Sequence, residues 1–179
     1  MAHDLHYELS PTINREERYS QIARDWYSLF DPLVGWTANA ANFCALLTAG
    51  FGWWWVGFYR VRKEDSALIL GPFQGPVACT RIPKGKGVCG TAWESNQPMV
   101  VPDVDQFPGH IACSSLSRSE LVIPVHANGE VVGVLDLDSV KLNDFGPLDL
   151  EALTPMLDLL QSVWPDEGRD EGMGLKNLR

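Results

Sequence analysis

The sequence has little cysteine, few basic residues and no long apolar run, and each shortage closes off a class of protein. Four cysteines among 179 residues are too sparse for a secreted disulfide scaffold, so any task they perform is redox, catalytic or metal-binding. Fourteen Lys and Arg against 23 Asp and Glu, a formal net charge of −9, leave no positive surface to displace the counterions of a phosphate backbone. Nucleic-acid binding is not expected. No segment approaches the roughly 18 uninterrupted apolar residues of a membrane span, and MAHDLHYELS has no basic stretch followed by an apolar one, so no signal peptide is read there. The expectation is a cytoplasmic protein of one domain acting on a small molecule, with 45% hydrophobic residues to build its core.

From Asn14 to about Leu33, the residues Tyr19, Ile22, Trp26, Leu29, Phe30 and Leu33 recur at helical spacing, which predicts an amphipathic helix with Pro32 near its end. A second helix is predicted over Thr37 to Ala49, with Ala40, Phe43, Leu46 and Leu47 on one face and Gly50 as its stop. The aromatic and β-branched run from Trp53 to Val61 reads as a buried strand with Ala67 to Leu70 as its hairpin partner. On that strand Trp53 and Trp55 are expected to share one face. Further strands are predicted at Val77 to Ile82, Pro98 to Val101, Leu121 to His126 and Glu130 to Leu137, the last two joined by Asn128-Gly129, a hairpin signal. Pro147 to Trp164 is helical with a kink or break expected at Pro155, and Pro165 to Arg179 reads as a mobile tail. Helix, helix, strands, helix is the order of an α+β domain with helices on a mainly antiparallel sheet.

Three cysteines, Cys79, Cys89 and Cys113, fall inside one short window. Free cysteine is often a small buried hydrophobe, and that reading suits Cys44, which lies on an apolar helix face. Cys89 sits between Gly87 and Gly90, and Cys113 follows Gly109 and His110, near turns or helix starts where backbone N–H groups lower a thiol pKa. His110 reads as a surface histidine at a turn, with a thiolate partner or substrate contact as alternatives. A Cys₃His zinc set is disfavoured because zinc takes ligands paired on tight knuckles, whereas these cysteines are far apart; no metal is expected.

In EVVGVLDLDS, alternation puts Val132, Val134, Asp136 and Asp138 on one strand face. Two acids about 7 Å apart along that face are costly unless it opens onto polar partners, a ligand or solvent. A strict two-residue turn would pair Glu120 with Leu137 and aim it away from the aspartates, whereas one bulged residue brings it to their face. Trp55 and its neighbours add apolar walls, with core packing as the ordinary role. GKGVCG lacks the P-loop pattern.

GPFQGPVAC, RIPKGKGVCGTAW, VPDVDQFPGHIACSSLSRSELVIPV and GEVVGVLDLDS, in this order and spacing, resemble the free methionine-(R)-sulfoxide reductases, which are single GAF domains. The resemblance covers roughly Ile22 to Val163 and divides the chain into an N-terminal extension (1–20), a GAF domain (21–164) and the tail (165–179). It implies a central antiparallel sheet with helices on one face and a closed ligand pocket on the other. It matches Cys113 to the catalytic cysteine, Cys79 to the resolving one and Cys89 to the third. Glu120, Asp136 and Asp138 match the pocket acids, and Trp55 the pocket tryptophan; Cys44 has no counterpart. The resemblance implies reduction of the free sulfoxide through a sulfenic acid and a disulfide recycled by thioredoxin, directly or through Cys89, with Glu120 or Asp138 as proton donor. It further implies no bound cofactor and inclines towards a homodimer. The competing expectation from another class is a ligand- or redox-sensing GAF domain without catalysis.

Overall fold

The computed structural model describes residues 9, 10, 12–109 and 115–165. Asn14 opens the first helix, α1 (Arg15–Leu29). Its side chain accepts from the Glu17 N–H while the Glu17 carboxylate accepts from the Asn14 N–H, a reciprocal cap that fixes where winding starts. α1 ends before the expected Leu33, because Pro32 disfavours helical geometry at Asp31 and starts a separate 3-10 turn, Pro32–Val34. The next helix, α2 (Gly35–Phe51), runs past its expected stop. Gly50 lies inside it, where a Cβ would collide with Ile22 of α1, and the left-handed cap is Gly52 at φ 68°.

The strands β1 (Trp55–Arg62), β2 (Ala67–Gln74), β3 (Arg81–Pro83), β4 (Met99–Val101), β5 (Ser119–Ala127) and β6 (Glu130–Ser139) form one antiparallel sheet in the order β3-β2-β1-β6-β5-β4. The α+β fold class read from the sequence is the one observed. Of the strand expected over Val77 to Ile82, only its end enters β3; residues 76–80 carry no regular structure. α3 (Gly87–Ser95) lies between β3 and β4, and α4 (Pro147–Ser162) closes the described chain. α4 runs through Pro155 without the expected break. Leu153, Met156, Leu157 and Leu160 are all buried around it, and that packing outweighs the lost backbone bond.

α1, α2 and α4 cover one face of the sheet around Trp26, Phe43, Leu47, Phe58, Leu135 and Leu137. Asp149 of α4 accepts from Arg15 Nε (2.6 Å), the Tyr19 hydroxyl (2.5 Å) and the Gly146 N–H (2.8 Å), which ties α1 to the start of α4. Cys44 belongs to this core and its thiol donates to the Pro72 carbonyl at 3.6 Å. Burial pushes that thiol well above the ordinary cysteine range, so it packs and does not react. Trp53 also lies here, stacked on Phe51 at 4.2 Å, not beside Trp55 as expected. It precedes β1, and strand alternation begins only at Trp55.

The hairpin register carries a bulge. Val125 pairs with Gly133 and His126 with Val131, so Val132 is the unpaired extra residue. Val132 therefore turns to the helix side, away from the face it was expected to share with Val134. Glu120 consequently pairs with Asp138. No helix among the described residues is long and apolar enough to cross a membrane.

Candidate active site

The second face of the sheet is covered by α3 and by residues 75–80. Two cross-strand rows meet beneath them. In the first, Trp55 of β1 pairs with Asp138 of β6, and Asp138 with Glu120 of β5; in the second, Gly57 pairs with Asp136, and Asp136 with Val122. Neighbours in such rows have Cβ atoms about 4.5–5.5 Å apart, so three carboxyl groups crowd one patch of sheet. Cys89, on the first turn of α3, drops onto them: its Sγ lies 3.9 Å from Glu120 Oε1, and the donor atoms of Cys89, Glu120 and Asp136 all lie within 4.8 Å of one another. This is a cation-binding set, suited to an ammonium or a metal ion, and Asp136 Oδ1 has no hydrogen-bond partner among the described residues.

The apolar wall is Trp55. A Cβ at Gly57 would strike its ring and Phe73, so glycine at that position lets the indole lie along the strand, stacked on Tyr59 (5.8 Å) and Phe73 (5.3 Å). Lys86, Gly87 and Val88 form another side of the cavity, which with its mouth occupies about 540 Å³. The first N–H groups of α3 have no partner within the helix and carry the positive end of its dipole. One pocket thus presents acids on one side and a helix N-terminus with a lysine on the other.

Burial sets the electrostatics. Glu120 is pushed well above the ordinary carboxyl range by burial, then by Asp136 and Asp138; Asp136 is raised by burial and by Asp138. Asp138 rises to about 6 through burial, restrained by a hydrogen bond from Ser117. Cys89 was expected to have an acidified thiol at a helix start. The opposite holds: burial first, then Asp136 and Glu120, push its thiol well above the usual range.

The GAF domain family matches residues 38–163. "GAF domain-containing protein A" of Dictyostelium discoideum is 50% identical over 162 residues, 90% of this chain and 100% of that protein. The free methionine-R-sulfoxide reductase of Escherichia coli is 41% identical over 152 residues, 84% of this chain and 91% of the relative. The X-ray structure of the Neisseria meningitidis free methionine-R-sulfoxide reductase, in complex with its substrate, superposes with a TM-score of 0.82 at 44% identity, covering 88% of this chain and 95% of that one. This chain belongs to the free methionine-R-sulfoxide reductase family.

Of the residues that the family resemblance singled out, Trp55, Cys89, Glu120, Asp136 and Asp138 line one cavity. Cys79 stands at its edge, half-buried in the segment after β2 and packed against the pocket-side core. Cys113 and His110 lie outside the described residues, as does the tail from 166. Lys86, Tyr59 and Ser117 escaped the sequence reading. Tyr59 follows Trp55 by four residues on the same strand face, a signal that alternation could have supplied. Ser117 reaches Asp138 from a turn, where no periodicity points to it.

Proposed function

We propose that the chain reduces free methionine-(R)-sulfoxide to methionine, as its relatives' names describe for them. The observation that carries this reading is the patch of three carboxyls, Glu120, Asp136 and Asp138, beside Trp55. A sulfoxide oxygen leaves only when protonated, and a carboxyl raised to about 6, as burial raises Asp138, keeps a share of its protons near neutral pH to give.

Cys113, as thiolate, attacks the sulfoxide sulfur while Asp138 or Glu120 protonates the oxygen; methionine departs and Cys113 becomes a sulfenic acid. Cys79 then attacks the sulfenic sulfur, water leaves, and a Cys79–Cys113 disulfide remains. Thioredoxin, through its own dithiol, restores both thiols. Cys89 was weighed as a relay for that step. Its burial beneath α3 and its raised pKa favour direct reduction at Cys79 instead.

The free amino acid fits the two-sided charge of the cavity. Its ammonium meets the unpartnered Asp136 Oδ1, its carboxylate meets the α3 N-terminus and Lys86, and its methyl group packs on Trp55. A peptide-bound residue has amides in place of both charges, leaving buried groups unmet, and is rejected. The runner-up, a sensing domain without catalysis, gives no role to a carboxyl whose pKa is raised to about 6.

Turnover of the free R-sulfoxide, coupled to NADPH oxidation through thioredoxin and its reductase, tests the proposal. Activity is expected on that substrate, with little on its N-acetyl ester and none after Cys113→Ser. Equal turnover of the blocked substrate would remove the two-sided recognition, and unchanged turnover by C113S would remove the nucleophile.

A further inference from the structure

Residues 75–80, which carry Cys79, cross the cavity without regular secondary structure, and Val77 within them is 89% exposed. Such a segment would hold a thiol poorly on its own. Its backbone, however, is tied at three carbonyls or amides. The Trp55 indole N–H donates to the Pro76 carbonyl at 3.2 Å, the Tyr59 hydroxyl donates to the Cys79 carbonyl at 3.0 Å, and the Leu70 N–H donates to the Thr80 carbonyl at 3.1 Å. The first two donors come from the same face of β1. Tyr59 is 1% exposed and Trp55 4%, so both donors are buried side chains, and a buried donor left without its partner is expensive. Gly57 and Gly75 make the arrangement possible, since a Cβ at either would collide with the Trp55 side chain.

We infer that Tyr59, with Trp55, is a positioning residue for the resolving cysteine. Resting on the reductase reading above, the inference adds that β1 serves both halves of the reaction. The Trp55 ring receives the substrate, and the polar atoms of Trp55 and Tyr59 hold the Cys79 segment where its sulfur meets the sulfenic acid. In that step the Cys79 sulfur bonds the Cys113 sulfur, the S–O bond breaks, and the hydroxyl leaves as water with the thiol proton. No outside reductant enters. Correct placement governs such an attack, and a misplacement of about 1 Å costs about a hundredfold in rate.

The test is a single turnover of the reduced chain with stoichiometric free R-sulfoxide and no thioredoxin. Methionine release and disulfide formation are followed separately, with dimedone trapping any sulfenic acid. For Tyr59→Phe, which keeps the ring and removes one hydroxyl, the ratio of disulfide formation to methionine release is expected to fall about 10- to 100-fold, and the Cys113–dimedone adduct to accumulate. A general loss of packing would slow both steps together and leave that ratio unchanged. An unchanged ratio in Y59F, while the wild-type chain forms its Cys79 disulfide, overturns the inference alone. A wild-type chain that releases methionine but forms no Cys79 disulfide overturns the assignment of Cys79 as resolving residue, and the inference with it.

Discussion

On the helix side of the sheet, Phe58, Leu135 and Leu137 are sealed among aromatic and aliphatic side chains; one residue along the same strands, Gly57, Asp136 and Asp138 face α3. Exposure hardly separates the two sides, since Leu135 is 0% and Asp136 6% exposed. Their free energies differ in sign. Burying an aliphatic side chain stabilises the fold by about 1.5–3 kcal/mol, whereas burying a carboxyl without a counter-charge costs stability and raises its pKa. The carboxyls of the second face are therefore kept at the expense of stability, and what they gain is a hold on their protons to higher pH.

Separating the two faces by substitution gives the largest expected effect. Asp138→Asn should lower kcat/KM on the free R-sulfoxide by about 10²–10⁴-fold while the chain becomes no less stable at pH 8; steady-state kinetics beside denaturant unfolding would show both. A D138N chain that unfolds more easily and still turns over would reverse the comparison. Leu135→Ala should do the converse, costing about 2–5 kcal/mol of stability with kcat/KM per folded molecule close to wild type.

A smaller effect concerns pH. Asp138 titrates near its ordinary value when unfolded and at about 6 when folded, so between those values the folded chain binds the extra proton. Its contribution is fully present below the unfolded pKa and is lost as pH rises through 6, on the order of 3 kcal/mol in all. Glu120 and Asp136, also raised by burial, add to the decline in the same direction. Denaturation midpoints should thus be higher at pH 5 than at pH 8, and D138N should flatten part of the slope; a midpoint that rises over this range would contradict the buried acids. The smallest effect is kinetic. Among the described thiols, iodoacetamide should modify Cys79 first, with Cys44 and Cys89 slow until unfolding, and peptide mapping over time would reveal the order.

Most of the architecture was legible because it rests on local rules. The α1 start at Asn14, the Asn128-Gly129 hairpin and the order of elements all follow from capping, turn chemistry and periodicity. Gly50 and Pro155 were misread for one reason: a glycine or proline that signals a stop in isolation is retained within a helix when a neighbour needs the space or the flanks are buried. Trp53 falls on the other face because the strand's alternation begins only at Trp55, two residues later. The acids and cysteines of the site were visible as types and spacings. Their pairing across strands was not, since it depends on a register that only assembly decides.

Val132 carries a consequence for how such a site can be lost or gained. Val132 is the one residue of this hairpin left without a partner opposite it, and the pairing of every residue beyond it depends on its being left out. Drawing Val132 into regular pairing with Val125 would leave every carboxyl and thiol in the sequence intact and take Glu120 out of line with Asp138, setting it opposite Leu137, whereas deleting Val132 would close the bulge and keep Glu120 opposite Asp138. For this strand pair the acid cluster is made or unmade by a slip of one residue in register, with no change in which residues the sequence contains.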